Sequence, residues 1–235
     1  VNGHGSWAVR AAVWIAVLGG CSASRAVSPL GKGNTAITTS MGGPVVSYAG
    51  VPLPVPIGSV GAAHGVSDRT NIYGSFYWTP VLLFGIPGAD LGVATELFGP
   101  MGARPRLMAG ATTHVFFGDT AAGDPRGGVR VFPDLSAIGS WPIGPQDRST
   151  VWTGLDLLVQ TAAPADVFLS PLVGAEVRPG RVGLRAELKW LAATVDNLQG
   201  VPDWYGIGHR GALSLQLGVD IHLGDAGRAP GKGGA

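Results

Sequence analysis

The pattern of this sequence predicts an all-β fold. It is an antiparallel transmembrane β-barrel of about ten strands, with eight or twelve as the alternatives. Three observations carry that reading. Charged residues make up 13 % of the 235 residues, about half the usual ~25 %, whereas a water-facing surface needs about 25–35 %. Apolar and polar residues alternate with period two over runs of ten to twelve residues, about twice a globular strand and matched to the ~9–11 residues of a membrane-crossing one. The long uncharged stretches, such as 33–63, are broken by prolines and glycines and cannot cross as helices. A net charge of +1 gives no reason to bind nucleic acid, and a single cysteine excludes both a disulfide framework and a cysteine-based zinc site.

Taken in chain order, residues 1–20 read as an export signal. Arg10 supplies a short basic region, and Ala11–Leu18 is an apolar run too short to span a bilayer. It ends in Leu18-Gly19-Gly20-Cys21, which resembles the lipobox of bacterial lipoprotein signal peptides. The resemblance implies cleavage before Cys21 and acylation of its thiol and new amino end. Several acyl chains at ~0.8 kcal/mol per buried CH₂ anchor firmly where one would be marginal. Ser22 after the cysteine implies sorting to the outer membrane. Residues 21–34 read as a tether, 35–223 as the barrel, and 224–235, with no apolar periodicity, as a disordered tail.

Six weaker alternating runs come first, at about 35–47, 54–66, 70–79, 89–98, 105–118 and 127–139. The last four are sharper. In 151–161, Val151, Leu155, Leu157 and Val159 oppose Trp152, Gly154, Asp156 and Gln160. In 167–178, Val167, Leu169, Val173 and Val177 oppose Ser170, Gly174, Glu176 and Arg178. In 181–192, Val182, Leu184, Leu188 and Trp190 oppose Arg181, Arg185, Glu187 and Lys189. In 212–223, Leu213, Leu215, Leu217, Val219, Ile221 and Leu223 oppose Ser214, Gln216, Gly218, Asp220 and His222. A strand segregates charge in this way and a helix does not. Connections alternate between long (78–88, 118–127, 195–205) and short (65–69, 99–104, 178–181), except 139–149, which is long where a short turn is expected. Aromatics near strand ends, including Tyr77, Trp78, Phe98, Phe116, Phe117, Trp141, Trp152, Phe168, Trp190, Trp204 and Tyr205, suggest interfacial girdles.

The body resembles the bacterial outer-membrane β-barrel proteins. Gln216-Leu217-Gly218-Val219-Asp220-Ile221-His222-Leu223 is similar to that family's terminal-strand assembly signal, carried here by Gln216, Gly218, Ile221 and Leu223. Leu223 replaces the usual terminal aromatic, and twelve residues follow it. Gly65-Val66-Ser67-Asp68-Arg69 resembles the family's turns. The resemblance implies outer-membrane lipids and the barrel insertion machinery as partners.

The polar faces then line the lumen. Asp156, Glu176, Arg178, Arg185, Glu187, Lys189, Gln216, Asp220 and His222 form the expected lumen cluster, and their mixed signs favour crosslinking over a selective field. His64 is read with them as a lumen group. No Gly-x-Ser-x-Gly, His-Glu-x-x-His or phosphate-loop motif is present, so no catalytic residue, metal ligand or cofactor is assigned. The expected role is structural, in the envelope. The alternatives are a narrow passive pore, a soluble periplasmic β-sandwich lipoprotein and an outer-membrane hydrolase with a histidine at its rim.

Overall fold

The computed structural model describes residues 25–48, 51–118, 128–144, 149–161, 166–197 and 204–224. Cys21, the expected export signal 1–20 and the expected tail beyond Gly224 lie outside them. The strands are β1 (Thr35–Tyr48), β2 (Val51–Pro54), β3 (Ile57–Gly65), β4 (Thr70–Tyr77), β5 (Gly88–Phe98), β6 (Arg106–Phe117), β7 (Val129–Ile143), β8 (Ser149–Gln160), β9 (Asp166–Val177), β10 (Val182–Asp196) and β11 (Arg210–Leu223), with one helix, α1 (Trp78–Phe84), between β4 and β5. β2 pairs only with the far end of β1, as a hairpin beyond the rim. The other ten strands pair antiparallel with their neighbours in order. A seam between β1 and β11, from Thr35↔Leu223 to Pro44↔Ser214, closes them. The result is one sheet closed on itself, which overturns the β-sandwich alternative. Closure leaves the ten wall strands no unpaired edge, the condition for a sheet to sit in lipid.

Alternation sorts the side chains. Ile37, Val60, Ile72, Leu91, Leu135, Leu155, Leu184 and Leu217 point outward and are exposed, while Ser40, Asn71, Asp134, Asp156, Lys189 and Gln216 point inward and are buried. Apolar outside and polar inside is the reverse of a soluble barrel, and it makes this a transmembrane one.

Four aromatics expected in the girdles turn inward instead: Tyr77, Phe116, Trp152 and Phe168 are buried. Strand parity is the reason. Phe116 and Phe117 are adjacent, so only one can face out, and Phe117 does. Small wall residues make room for the inward rings. Gly174 lies opposite Trp152 across the β8–β9 ladder, and a Cβ there would overlap the indole. Outer tryptophans behave as rim anchors: the indole N–H of Trp141 donates to the Ala103 carbonyl, and that of Trp190 to Arg210.

The chain ends, the β3–β4, β5–β6 and β9–β10 turns and the β7–β8 connection share one mouth, called here the chain-end mouth. At the other, the loop mouth, the β1–β3, β4–β5, β6–β7 and β10–β11 connections are longer and β8–β9 is short. In the β3–β4 turn the Ser67 hydroxyl accepts the N–H groups of Arg69 and Thr70. The expected long connection at 139–149 is corrected: β7 continues to Ile143, and five residues remain before Ser149. Pro142 is accommodated in β7 because near a strand end a missing N–H removes at most one ladder bond. The 78–88 connection, expected as plain loop, contains α1, which ends on Gly85 in the left-handed conformation (φ 66°).

Candidate functional site in the barrel lumen

The lumen is layered, and the order follows from residue positions along the strands. On β7, going from the chain-end mouth, the inward residues are Ser140, Ile138, Ser136, Asp134 and Phe132. On β8 they are Thr150, Trp152, Gly154, Asp156 and Leu158. Both strands thus pass from an apolar layer through an acid to a second apolar layer. The lower layer gathers Tyr73, Met108, Ile138, Trp152 and Leu172. The upper one, near the loop mouth, gathers Ile57, Tyr77, Phe116, Phe132, Leu158 and Phe168. In it Tyr77 stacks on Phe116 (centroids 5.6 Å apart), and Phe116 meets Phe132 edge-on at 6.2 Å.

Between the layers lies a charged belt. Asp156, 2 % exposed, accepts from Lys189 Nζ at 2.5 Å and from Arg25 Nη2 at 2.5 Å. Glu187 accepts from the Trp152 indole at 3.2 Å and lies 4.0 Å from Arg25 Nη1. The Arg185 guanidinium stacks over the Trp152 ring at 4.8 Å. On the opposite wall the hydroxyls of Ser75 and Tyr77 donate to Asp90 Oδ2 at 2.5 and 2.6 Å. The Tyr77 hydroxyl is also 3.0 Å from His114 Nδ1, whose Nε2 is 3.6 Å from Asp134. Asp156, Glu187 and Asp90 are each held by a cation or a donor, the arrangement that makes buried charge tolerable. Asp90, Tyr77 and His114 form one hydrogen-bonded chain, and Asp134 lies beyond hydrogen-bond reach of the far His114 nitrogen. Enclosed by apolar layers on both sides, the chain has the character of a crosslink.

Arg25 reaches the belt from an N-terminal strap, 25–34, that runs up inside the barrel. The strap enters at the chain-end mouth, where Gly33 N–H donates to Gly65 O and Gly65 N–H to Asn34 O. Asn71 then grips it twice, accepting from Leu30 N–H at 3.0 Å and donating to Ser28 O at 3.0 Å. Ser140 donates to Val27 O at 2.9 Å, and Arg185 to Arg25 O at 3.0 Å. Ala26 and Val27 fill the lower apolar layer. The part of 21–34 that the structure describes, residues 25–34, is held in the lumen, where the sequence suggested a tether.

The residues singled out from sequence fall into two groups. Asp156, Arg185, Glu187 and Lys189 meet in the belt. Gln216 is also buried there and donates to Ser40 Oγ at 3.1 Å. Glu176, Arg178, Asp220 and His222 gather nearer the chain-end mouth, with His222 Nε2 3.7 Å from Glu176 and 3.4 Å from Arg178 Nη1. Of the terminal-strand residues, Gln216 faces in and Gly218 opposes Ser40 across the seam, while Ile221 and Leu223 face out. His64, read as a lumen group, lies on the outer face at the chain-end mouth against Thr35 Oγ1 (2.9 Å). Among the described residues, no three His, Cys, Asp or Glu side chains converge as a metal site.

Sequence reasoning missed Arg25, Asp90, His114 and Asp134. For the two acids a signal exists: a lone Asp in an otherwise apolar wall strand must face the lumen. Arg25 sits in a short polar run with no periodicity to place it.

No family model and no curated protein matches the chain. Among solved structures it is similar to the translocator domain of the autotransporter NalP from Neisseria meningitidis, at 13 % identity and a TM-score of 0.41, over 93 % of this chain and 95 % of that one. It is also similar to Ail, the attachment invasion locus protein of Yersinia pestis, at 9 % identity and a TM-score of 0.28, over 82 % and 99 %. The closed ladder and the sorting of its faces, rather than these similarities, define this chain as a transmembrane β-barrel with an occupied lumen.

Proposed function

We propose that the chain is a structural barrel of the bacterial outer membrane, additionally lipid-anchored through Cys21, whose lumen is filled rather than open. The observation that carries this is Arg25 seated against Asp156 in the belt, with Ala26 and Val27 packed in the layer below. A ten-stranded barrel is narrow enough for side chains to fill much of its interior, and here a length of main chain is added. Its partners on this reading are the surrounding lipids and, through β11, the insertion machinery. The reading includes no turnover: His114, 1 % exposed, lies between the two apolar layers.

Planar bilayers test it. The full chain is expected to insert without conductance steps and, in detergent, to migrate differently on gels before and after heating. Stepwise conductance from the full chain would establish the pore alternative. A chain that stays monomeric in detergent-free buffer after removal of 1–20 and Cys21→Ala would overturn the membrane assignment. Mass spectrometry of the membrane-extracted protein for acyl chains on Cys21 tests the anchor.

A further inference from the structure

We propose that α1 is seated in the bilayer, with Leu82 and Leu83 among the acyl chains of the leaflet at the loop mouth, where it completes the lipid-facing wall at its lowest point. This rests on the transmembrane reading above and adds a surface and an occupant to it.

The helix lies outside the barrel and not across its mouth. Gly58 opposes Met41 in the β1–β3 ladder, and Met41 is an exposed outer residue. Residues directly opposite in an antiparallel pair share a face, so Gly58 faces outward too. Yet Gly58 is buried, because Trp78 and Thr79 cover it: a Cβ there would fall inside the Trp78 indole. The Gly58 N–H donates to Thr79 Oγ1 at 2.5 Å. Strand parity agrees, since Tyr77 faces the lumen and Trp78, the next residue, faces away. The first turn of α1 is thereby pinned to the outer surface of β3.

What the helix then presents is apolar. Leu82 is 75 % and Leu83 56 % exposed, comparable to Leu91 of the β5 wall at 70 %. No Asp, Glu, Lys or Arg occurs between 70 and 89, nor between 33 and 67 in the adjoining β1–β3 stretch. This sector has no cation to meet a headgroup phosphate and no ion to hold water.

The wall is also shortest here. β3 has 9 residues and β4 has 8, whereas β7 and β10 have 15 each. At ~3.3 Å per residue and a tilt of about 40°, 8 or 9 residues rise only about 20–23 Å, short of the ~25 Å apolar band such barrels present. α1 adds apolar surface on the outside of β3, at its loop end, where that height is missing. The helix continues the lipid-facing surface, and acyl chains are the occupant that continuity selects.

Nitroxide accessibility decides the matter. In the full chain carrying Cys21→Ala, a spin label at Leu83→Cys is compared with one at Leu91→Cys on the wall, in phospholipid vesicles. The label at 83 is expected to collide with oxygen and be shielded from a water-soluble nickel chelate, with the same ratio as at 91. Nickel access at 83 but not at 91 would place α1 in water. Shielding from both reagents at 83 would mean a protein occupant, a second copy included. Either result overturns the proposal. Nickel access at both sites would overturn the membrane reading beneath it. If Leu83→Cys does not fold, Leu82→Cys serves equally.

Discussion

Asp156 accepts from two buried cations at once, Lys189 and Arg25, and Arg25 also lies 4.0 Å from Glu187. Breaking a buried pair from one side costs about 3–5 kcal/mol, because the partner charge stays buried. Asp156→Ala should lower the unfolding free energy by that order, read from urea titration of the detergent-folded barrel. Arg25→Ala should cost less, since Lys189 still neutralises Asp156. A second residue-scale test concerns volume. Gly174→Val forces the Trp152 indole aside, and with it the Glu187 and Arg185 contacts. Overpacking of this kind costs about 1–3 kcal/mol and should appear as a loss of near-ultraviolet tryptophan signal as well as stability. The inward placement of Asp156, Glu187 and Lys189 could be read from period two alone. The same alternation put Trp152 on the face of Asp156, against its expected place in a girdle; what it could not show is that Gly174 would leave room for the indole inside.

Among elements, the strap and the upper apolar layer close the lumen independently. Deleting 25–33 removes Arg25, Ala26 and Val27 but leaves Tyr77, Phe116, Phe132, Leu158 and Phe168 in contact. The deletion alone is expected to stay non-conducting in planar bilayers and to unfold at lower denaturant. Adding Phe116→Ala and Phe132→Ala should open a path. That path should favour cations: among the described belt residues Asp90, Asp134, Asp156 and Glu187 would face Lys189 and Arg185 without Arg25. Equal cation and anion permeability would show that the belt does not set the field. The ten wall strands were visible in the sequence to within a few residues, since their periodicity is dictated by two different solvents on two faces. The strap and α1 were not. Neither alternates, and each is placed by what it touches: Asn71, Ser140 and Asp156 for the strap, Gly58 for the helix.

For the whole molecule, the seam joins the first wall strand to the last, Thr35 to Leu223. Ending the chain before β11 would leave β1 and β10 each with a bare edge of N–H and C=O groups in lipid, at several kcal/mol per unsatisfied group. A chain stopped at Asp196 is therefore expected to yield no heat-resistant band and to be cleared by envelope proteases, with no stable nine-stranded form. The low charge content of the whole chain fits the same picture, because an outer wall that meets acyl chains can carry almost no ions.

The seam also has a kinetic meaning. It is the most non-local contact in the chain, between strands at opposite ends of the sequence, so its loop-closure entropy is met before any of its own ladder bonds form. The hairpins before it bring only neighbours together. Folding should be slow and limited by that final zippering. Substitutions along the seam, such as Gly218→Val against Ser40, should slow the appearance of the folded band far more than equal changes in a local hairpin such as β3–β4.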